Sequence, residues 1–184
     1  MKKSQLKYAL LFLVLVVPAF TISCNKKEDE VKLDFDLTVP DNWDYAILAN
    51  INWIYTAARN AVNDQDSIRE GLVIYKEELP NWTLIQYYTA VRANLITKGF
   101  YDETLYVSDT VVNGTDFIKL ISKETLGYVN TVYNDTIDVN VITERYFFYE
   151  NSYGYNMAFN SVDTLYDENK IVFNQIISSF HYKE

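Results

Sequence analysis

Apolar and polar residues alternate from position 33, with Leu33, Phe35, Leu37 and Val39 on one side and Asp34, Asp36 and Thr38 on the other. A period of two marks a strand with one wet face, and Pro40 stops it. Residues 40–44 read as a turn, with Trp43 a lid on the core. Residues 47–58 read as one or two strands, although their alanines leave a helix open. The run Asn63-Asp64-Gln65-Asp66-Ser67 is a loop signal. Residues 69–79 form the next strand, closed by Pro80.

The period then changes. Leu84, Tyr88, Val91 and Leu95 recur at i, i+4, i+7 and i+11, so residues 81–99 predict an amphipathic helix, with Asn81 as its cap and Gly99 as its stop. Strand patterning resumes at 103–112. Asn113-Gly114 tolerates positive φ at both positions and predicts a tight hairpin into 115–124. Further strands are expected at 128–133, 138–150 and 153–162, the last two joined through Asn151-Ser152. Residues 163–180 predict a second amphipathic helix with an apolar stripe of Leu165, Val172, Phe173, Ile176, Ile177 and Phe180. Asp163 or Ser161 would cap it, and Asp167 and Glu168 suit the positive end of its dipole. With no internal repeat and no second boundary, the pattern is that of one α+β domain.

Composition supports a packed, sheet-leaning chain. Of 184 residues, 49% are hydrophobic and 16% aromatic, with 16 tyrosines and few glycines or prolines. Charge is uneven. Lys2, Lys3 and Lys7 are the only charges before Cys24; without them 13 basic residues face 25 acidic ones, a balance of −12. Such a surface repels phosphate backbones, and nucleic acid is excluded as a partner.

The amino terminus has its own logic. A basic head is followed by Tyr8–Phe20, 13 residues without charge. As a helix this run reaches roughly 20 Å, short of a ~30 Å hydrocarbon core. Basic head, short apolar run and small residues before a cut describe an export leader, residues 1–23. Thr21-Ile22-Ser23-Cys24 resembles the lipobox of bacterial lipoproteins, with Thr21 in place of the usual leucine. That resemblance implies lipidation of Cys24 as the first mature residue. A disulfide would need a second cysteine, and the chain has one. Two or three long acyl chains, at ~0.8 kcal/mol per buried CH₂, hold a domain at a bilayer durably. Lys26, Lys27, Glu28, Asp29 and Glu30 resemble a sorting signal that sends some Gram-negative lipoproteins to the outer face of the outer membrane. A plain solvated tether, with the periplasmic face as destination, is the alternative. Residues 24–32 are thus lipidated cysteine and tether, and 33–184 the folded domain.

Four stretches, 37–43, 73–91, 111–122 and 153–180, resemble in their order the PsbP/Mog1/DcrB-like family; residues 44–66 stand apart as an insert. The resemblance implies an antiparallel sheet flanked by two main helices, an αβα sandwich. It also implies a non-catalytic role, since members bind or assemble other macromolecules, among them photosystem components, a small GTPase and envelope partners.

Reactive chemistry is sparse. The single histidine, His181, lies near a terminus where fraying is expected, which disfavours a serine triad or a zinc site. Glu77 and Glu78 are strand neighbours and point to opposite faces. Asp64 and Asp66 lack the glycine and distal glutamate of a calcium loop. No metal, cofactor or catalytic residue is therefore assigned. Tyr146, Tyr149, Tyr153 and Tyr155 cluster around one hairpin, half of them expected in the core and the rest forming a candidate recognition surface. The expected function is a membrane-anchored envelope lipoprotein with a binding or assembly domain and an envelope protein partner. A carrier or sensor of a small apolar or glycan ligand is the first alternative, and a carboxylate hydrolase a distant one.

Overall fold

The computed structural model describes residues 32–48, 52–60, 69–100, 102–130 and 135–183, with backbone alone at 126–130 and 135–137. The leader, Cys24, the charged tether and the 63–67 loop lie outside the described residues. Among the described residues, nine strands and two α-helices run in the order β1 (Phe35–Asp36), β2 (Trp43–Ile47), β3 (Trp53–Arg59), β4 (Gly71–Glu78), α1 (Leu84–Lys98), β5 (Glu103–Val112), β6 (Thr115–Asn130), β7 (Asp135–Glu150), β8 (Tyr153–Val162), α2 (Tyr166–Ser178) and β9 (His181–Tyr182). Strands β2-β3-β4-β8-β7-β6-β5 form a seven-stranded sheet, and β1-β9 a separate two-stranded one. Every pairing is antiparallel.

The sheet is covered on both faces. Successive strand residues point to opposite sides, and the central strands use this fully. Phe117, Ile121, Tyr146, Phe148, Tyr155, Met157 and Phe159 pack with Phe173, Ile176, Ile177 and Phe180 from α2 and the turn after it. Ile118, Leu120 and Phe147 pack on the other face against Tyr87 and Tyr88 of α1. Predominantly apolar strands such as β8 follow from this double burial, since a strand wet on one side would alternate.

Local signals explain the turns. Asn113 and Gly114 adopt φ of 47° and 87°, and Asn151 and Ser152 adopt 50° and 70°, the double positive φ of tight hairpins. Helix α1 starts two residues later than expected. Thr83, not Asn81, is its cap, and Gln86 closes the box by bonding back to the Thr83 amide at 2.8 Å. Asn81 occupies a left-handed turn position instead (φ 67°). Gly99 ends the helix at φ 72°, as its sequence position implied.

Four further expectations change. The two strands expected at 115–124 and 128–133 are one continuous strand, β6, because its ladder with β7 runs unbroken from Ile118↔Phe147 to Asn130↔Asp135. The carboxy-terminal helix begins at Tyr166, after a short 3-10 turn at Asp163–Leu165. Leu165 is therefore exposed, and Tyr166 takes the buried position. Neither Asp163 nor Ser161 caps α2; Ser161 Oγ accepts a hydrogen bond from the Asn169 side chain at 2.8 Å instead. His181 is not frayed, because β9 pairs with β1 through Asp36↔His181.

Gly154 of β8 marks where α1 approaches closest. A Cβ there would lie 2.8 Å from the Tyr87 ring, and Tyr87 is itself buried. Overpacking of this kind costs about 1–3 kcal/mol. Gly154→Ala is expected to lower the urea midpoint by that amount with an unchanged denaturant slope, and Tyr87→Leu in the same chain to recover part of the loss. An unchanged midpoint would show that α1 shifts freely on the sheet.

Candidate functional site

Three polar clusters are built into the sheet. The first fixes the amino-terminal strand. The Asp34 carboxylate accepts the Tyr155 hydroxyl at 2.7 Å and pairs with Lys76. The Lys76 ammonium lies 4.1 Å from the centroid of the Tyr153 ring. Tyr155 stacks on Phe148 at 4.3 Å and 3°, and Phe35 meets it edge-on. The Asp34 carbonyl accepts the Lys183 amide at 2.8 Å, and the Thr38 amide donates to Ser179 Oγ at 2.8 Å. Burial pushes the Asp34 carboxyl up, but the hydrogen bonds from Lys76 and Tyr155 and the charges of Lys76 and Lys183 outweigh it, leaving the group below its ordinary value.

The second cluster lies on the α2 face. Glu144 is fully buried. It accepts the Tyr146 hydroxyl at 2.6 Å and the Tyr166 hydroxyl at 2.8 Å, and pairs with Lys119. Burial first, and Glu144 second, push both tyrosine hydroxyls up, so they act as protonated donors. The cluster ties β6 and β7 to the first turn of α2.

The third lies on the α1 face. Arg145 and Glu124 form a forked, buried pair, with Arg145 Nη2 3.1 Å from Glu124 Oε2. Ser122 Oγ donates to Glu124 at 2.7 Å. Arg145 Nε and Asn156 Oδ1 are buried without a hydrogen-bond partner among the described residues. Since Glu144 and Arg145 are adjacent on β7, the two buried glutamates occupy opposite faces, each matched to its own cation. This arrangement stiffens a sheet; it brings no pair of carboxylates into one cleft. Among the described residues, no group of three His, Cys, Asp or Glu is placed to hold a metal ion, and no helix is long and apolar enough to cross a membrane.

The four tyrosines of the β7–β8 hairpin do not share one surface. Tyr146 and Tyr155 are in the core. Tyr149 is half-buried and donates its hydroxyl to the Leu79 carbonyl at 2.7 Å. Tyr153 lies half-buried beneath Lys76. Their spacing explains it, because 146 and 155 face α2 while 149 lies across the sheet. Sequence reasoning also missed Glu124, Glu144 and Arg145. The signal for these was a pair of opposite charges, Glu144-Arg145, inside an otherwise apolar aromatic strand.

Exposed apolar side chains gather at the two sheet edges. Tyr45 and Ile47 protrude from β2, with Tyr45 stacked on Tyr55 at 5.9 Å. Leu105, Tyr106, Val107 and Val111 protrude from β5. A solvent-open depression of about 640 Å³ runs along α2, lined by Ile171, Asn174, Gln175, Ser178 and Ser179.

This architecture is that of a PsbP-like domain. The chain superposes on LpqN of Mycobacterium tuberculosis, a protein involved in cell envelope biogenesis, with a TM-score of 0.56 and 11% identity over 82% of this chain and 83% of that one. It superposes on the PsbP protein CyanoP of Synechocystis sp. PCC 6803 with a TM-score of 0.50 and 13% identity, over 86% and 98% of the two chains. No known protein family's sequence pattern and no curated protein matches the chain.

Two outcomes test the clusters. Asp34 is lowered in the folded state, so its contribution is present above the ordinary carboxyl value of 3.8 and is lost as pH falls through the lower folded value. The stability gap between wild type and Asp34→Asn, measured by urea titration, is expected at neutral pH and to close on acidification below that value. A gap that widens in acid would reverse the assignment. Arg145→Met alone leaves Glu124 buried without its cation, a loss of about 3–5 kcal/mol. The double variant Glu124→Met, Arg145→Met is expected to be the more stable of the two, and simple additivity would argue against the pair.

Proposed function

We propose that this chain is a membrane-anchored lipoprotein of the cell envelope whose domain, 33–184, is a non-catalytic binding or assembly module. In this reading residues 1–23 are removed, Cys24 carries the acyl chains, and Lys26, Lys27, Glu28 and Asp29 direct the protein to the outer face of the outer membrane. The carrying observation is the clasp at Asp34. It fixes the tether's end to the core, some ten residues after Cys24, so the domain stands no further than about 35 Å from its anchor. A chain that must transmit an anchor to a rigid body needs such a fixed end. The internally matched Glu124 and Glu144 clusters agree with a scaffold rather than a reaction centre, and a structural neighbour involved in envelope biogenesis supports the setting. The partner is an envelope protein, and the acidic surface turns away nucleic acid.

Mass spectrometry of native material is expected to show a chain beginning at an acylated Cys24. Cys24→Ser is expected to keep the leader and to lose the lipid. Protease added to intact cells is expected to remove the wild-type protein. Removal only after permeabilisation would move it to the periplasmic face, and an unmodified thiol would end the lipoprotein reading. A second reading, a carrier or sensor of a small apolar or glycan ligand, draws on the solvent-open depression along α2, lined by Ile171 together with Asn174, Gln175, Ser178 and Ser179. Sugar or lipid co-purifying with the protein, in place of a stoichiometric protein, would favour it.

A further inference from the structure

β5 ends the seven-stranded sheet, and among the described residues only β6 pairs with it. Its outer side therefore presents a row of amide and carbonyl groups to solvent. Long edges are normally guarded by lysine, proline, a covering element or brevity. The opposite edge, β2, is short, with five residues. β5 has ten residues and contains neither Lys nor Pro.

The side chains along this edge are apolar on both faces of the sheet. Tyr106 stands opposite Ile121, on the α2 face, and Val107 opposite Leu120, on the α1 face. The irregularity between Thr104 and Tyr106 brings consecutive apolar residues to the surface. Leu105, Tyr106, Val107 and Val111 are 47%, 50%, 43% and 64% exposed. The exposed charges along the edge are acidic, while the part-buried Arg92 of α1 donates to Thr104 Oγ1 at 3.4 Å. Glu103 and Asp109 lie on β5, Asp102 precedes it, and Asp116 stands opposite Val111 on β6, all with exposed side chains. The lysine nearest this group, Lys123 opposite Glu103, is paired with Asp163 at 2.7 Å.

A second copy would bring this acidic edge against itself, on a chain already carrying a large negative balance. A strand with basic side chains meets it favourably. We propose that the outer edge of β5 receives an extended segment of a partner protein, added antiparallel or parallel as a further strand. Its apolar residues would cover Tyr106, Val107 and Val111, and its lysines or arginines would face Glu103, Asp109 and Asp116. Main-chain hydrogen bonds supply affinity in this mode, and alternate side chains supply selectivity. The inference rests on the binding-module reading and names the surface that reading left open.

The probe is a capped ten-residue peptide of repeating Val-Val-Lys-Lys, which as a strand presents both valine and lysine on each face, titrated into the full native protein in detergent. Two control peptides are used, one N-methylated at alternate residues and one with glutamate for lysine. Binding read by fluorescence anisotropy is expected to weaken at least about tenfold for each control, the equivalent of losing ~1.4 kcal/mol. Amide exchange is expected to slow along 103–112. The variant Val107→Lys, Val111→Lys changes only exposed positions and is expected to weaken binding equally while the unfolding midpoint stays put. Absence of binding, indifference to N-methylation or protection mapped elsewhere would overturn the proposal. Protection of β5 that grows with protein concentration and without peptide would replace it with a homodimer edge. If cross-linking in native envelopes captures a stoichiometric partner equally well with the lysine variant, the binding-module reading survives and the edge assignment falls. If no partner appears with either chain, the reading itself fails.

Discussion

The structure turns on the strict two-residue alternation of β7. Along Glu144, Arg145, Tyr146, Phe147 and Phe148, each residue enters the opposite side of the sheet from its neighbour, and all five are buried. A strand in this position has no wet face on which to place a charge. Glu144 and Arg145 are adjacent and of opposite sign, yet they do not neutralise each other, because the sheet separates them. Each must find its counter-charge on its own side, and each does so on β6, in Lys119 and Glu124. A one-residue slip between β6 and β7 would strand both charges in apolar surroundings. The two ion pairs thus fix the register of the longest ladder in the molecule.

From that register the two cores follow. On one face the Glu144 cluster meets Tyr166, which sets where α2 starts, and the aromatic layer of Phe117, Phe148, Tyr155 and Phe180 fills the space beyond. On the other face Phe147 receives Tyr87 and Tyr88 edge-on, and Gly154 leaves room for α1 to settle. The buried groups among the described residues are therefore organised by polar contacts, although most of them are hydrophobic.

Much of this was legible in the sequence. The Asn113-Gly114 and Asn151-Ser152 turns and the Gly99 stop each carry a local cause, and the local cause decided the outcome. The alternation over 33–39 gave the buried side correctly, but only Phe35–Asp36 of it is strand, because β9 offers a two-residue partner. The resemblance to PsbP-like proteins pointed to the sheet with helices on both sides. What stayed hidden depended on partners distant in the chain. The Thr83 cap is the local exception: it won over Asn81 because Gln86, three residues on, closes a reciprocal box. The continuity of β6 through Gly127 needed the opposing strand, and the burial of Tyr146 and Tyr155 needed to know which face α2 would cover. Cys24 and the tether are read from the sequence, in the Thr21-Ile22-Ser23-Cys24 run and the charged residues after it.

The clasp between β1 and β9 has a temporal meaning. Phe35 pairs with Tyr182 and Asp36 with His181, and just beyond them Thr38 meets Ser179 across 141 residues of chain. The first strand of the domain therefore stays without its sheet partner until nearly all the described chain has been made and folded, and its seating closes the fold.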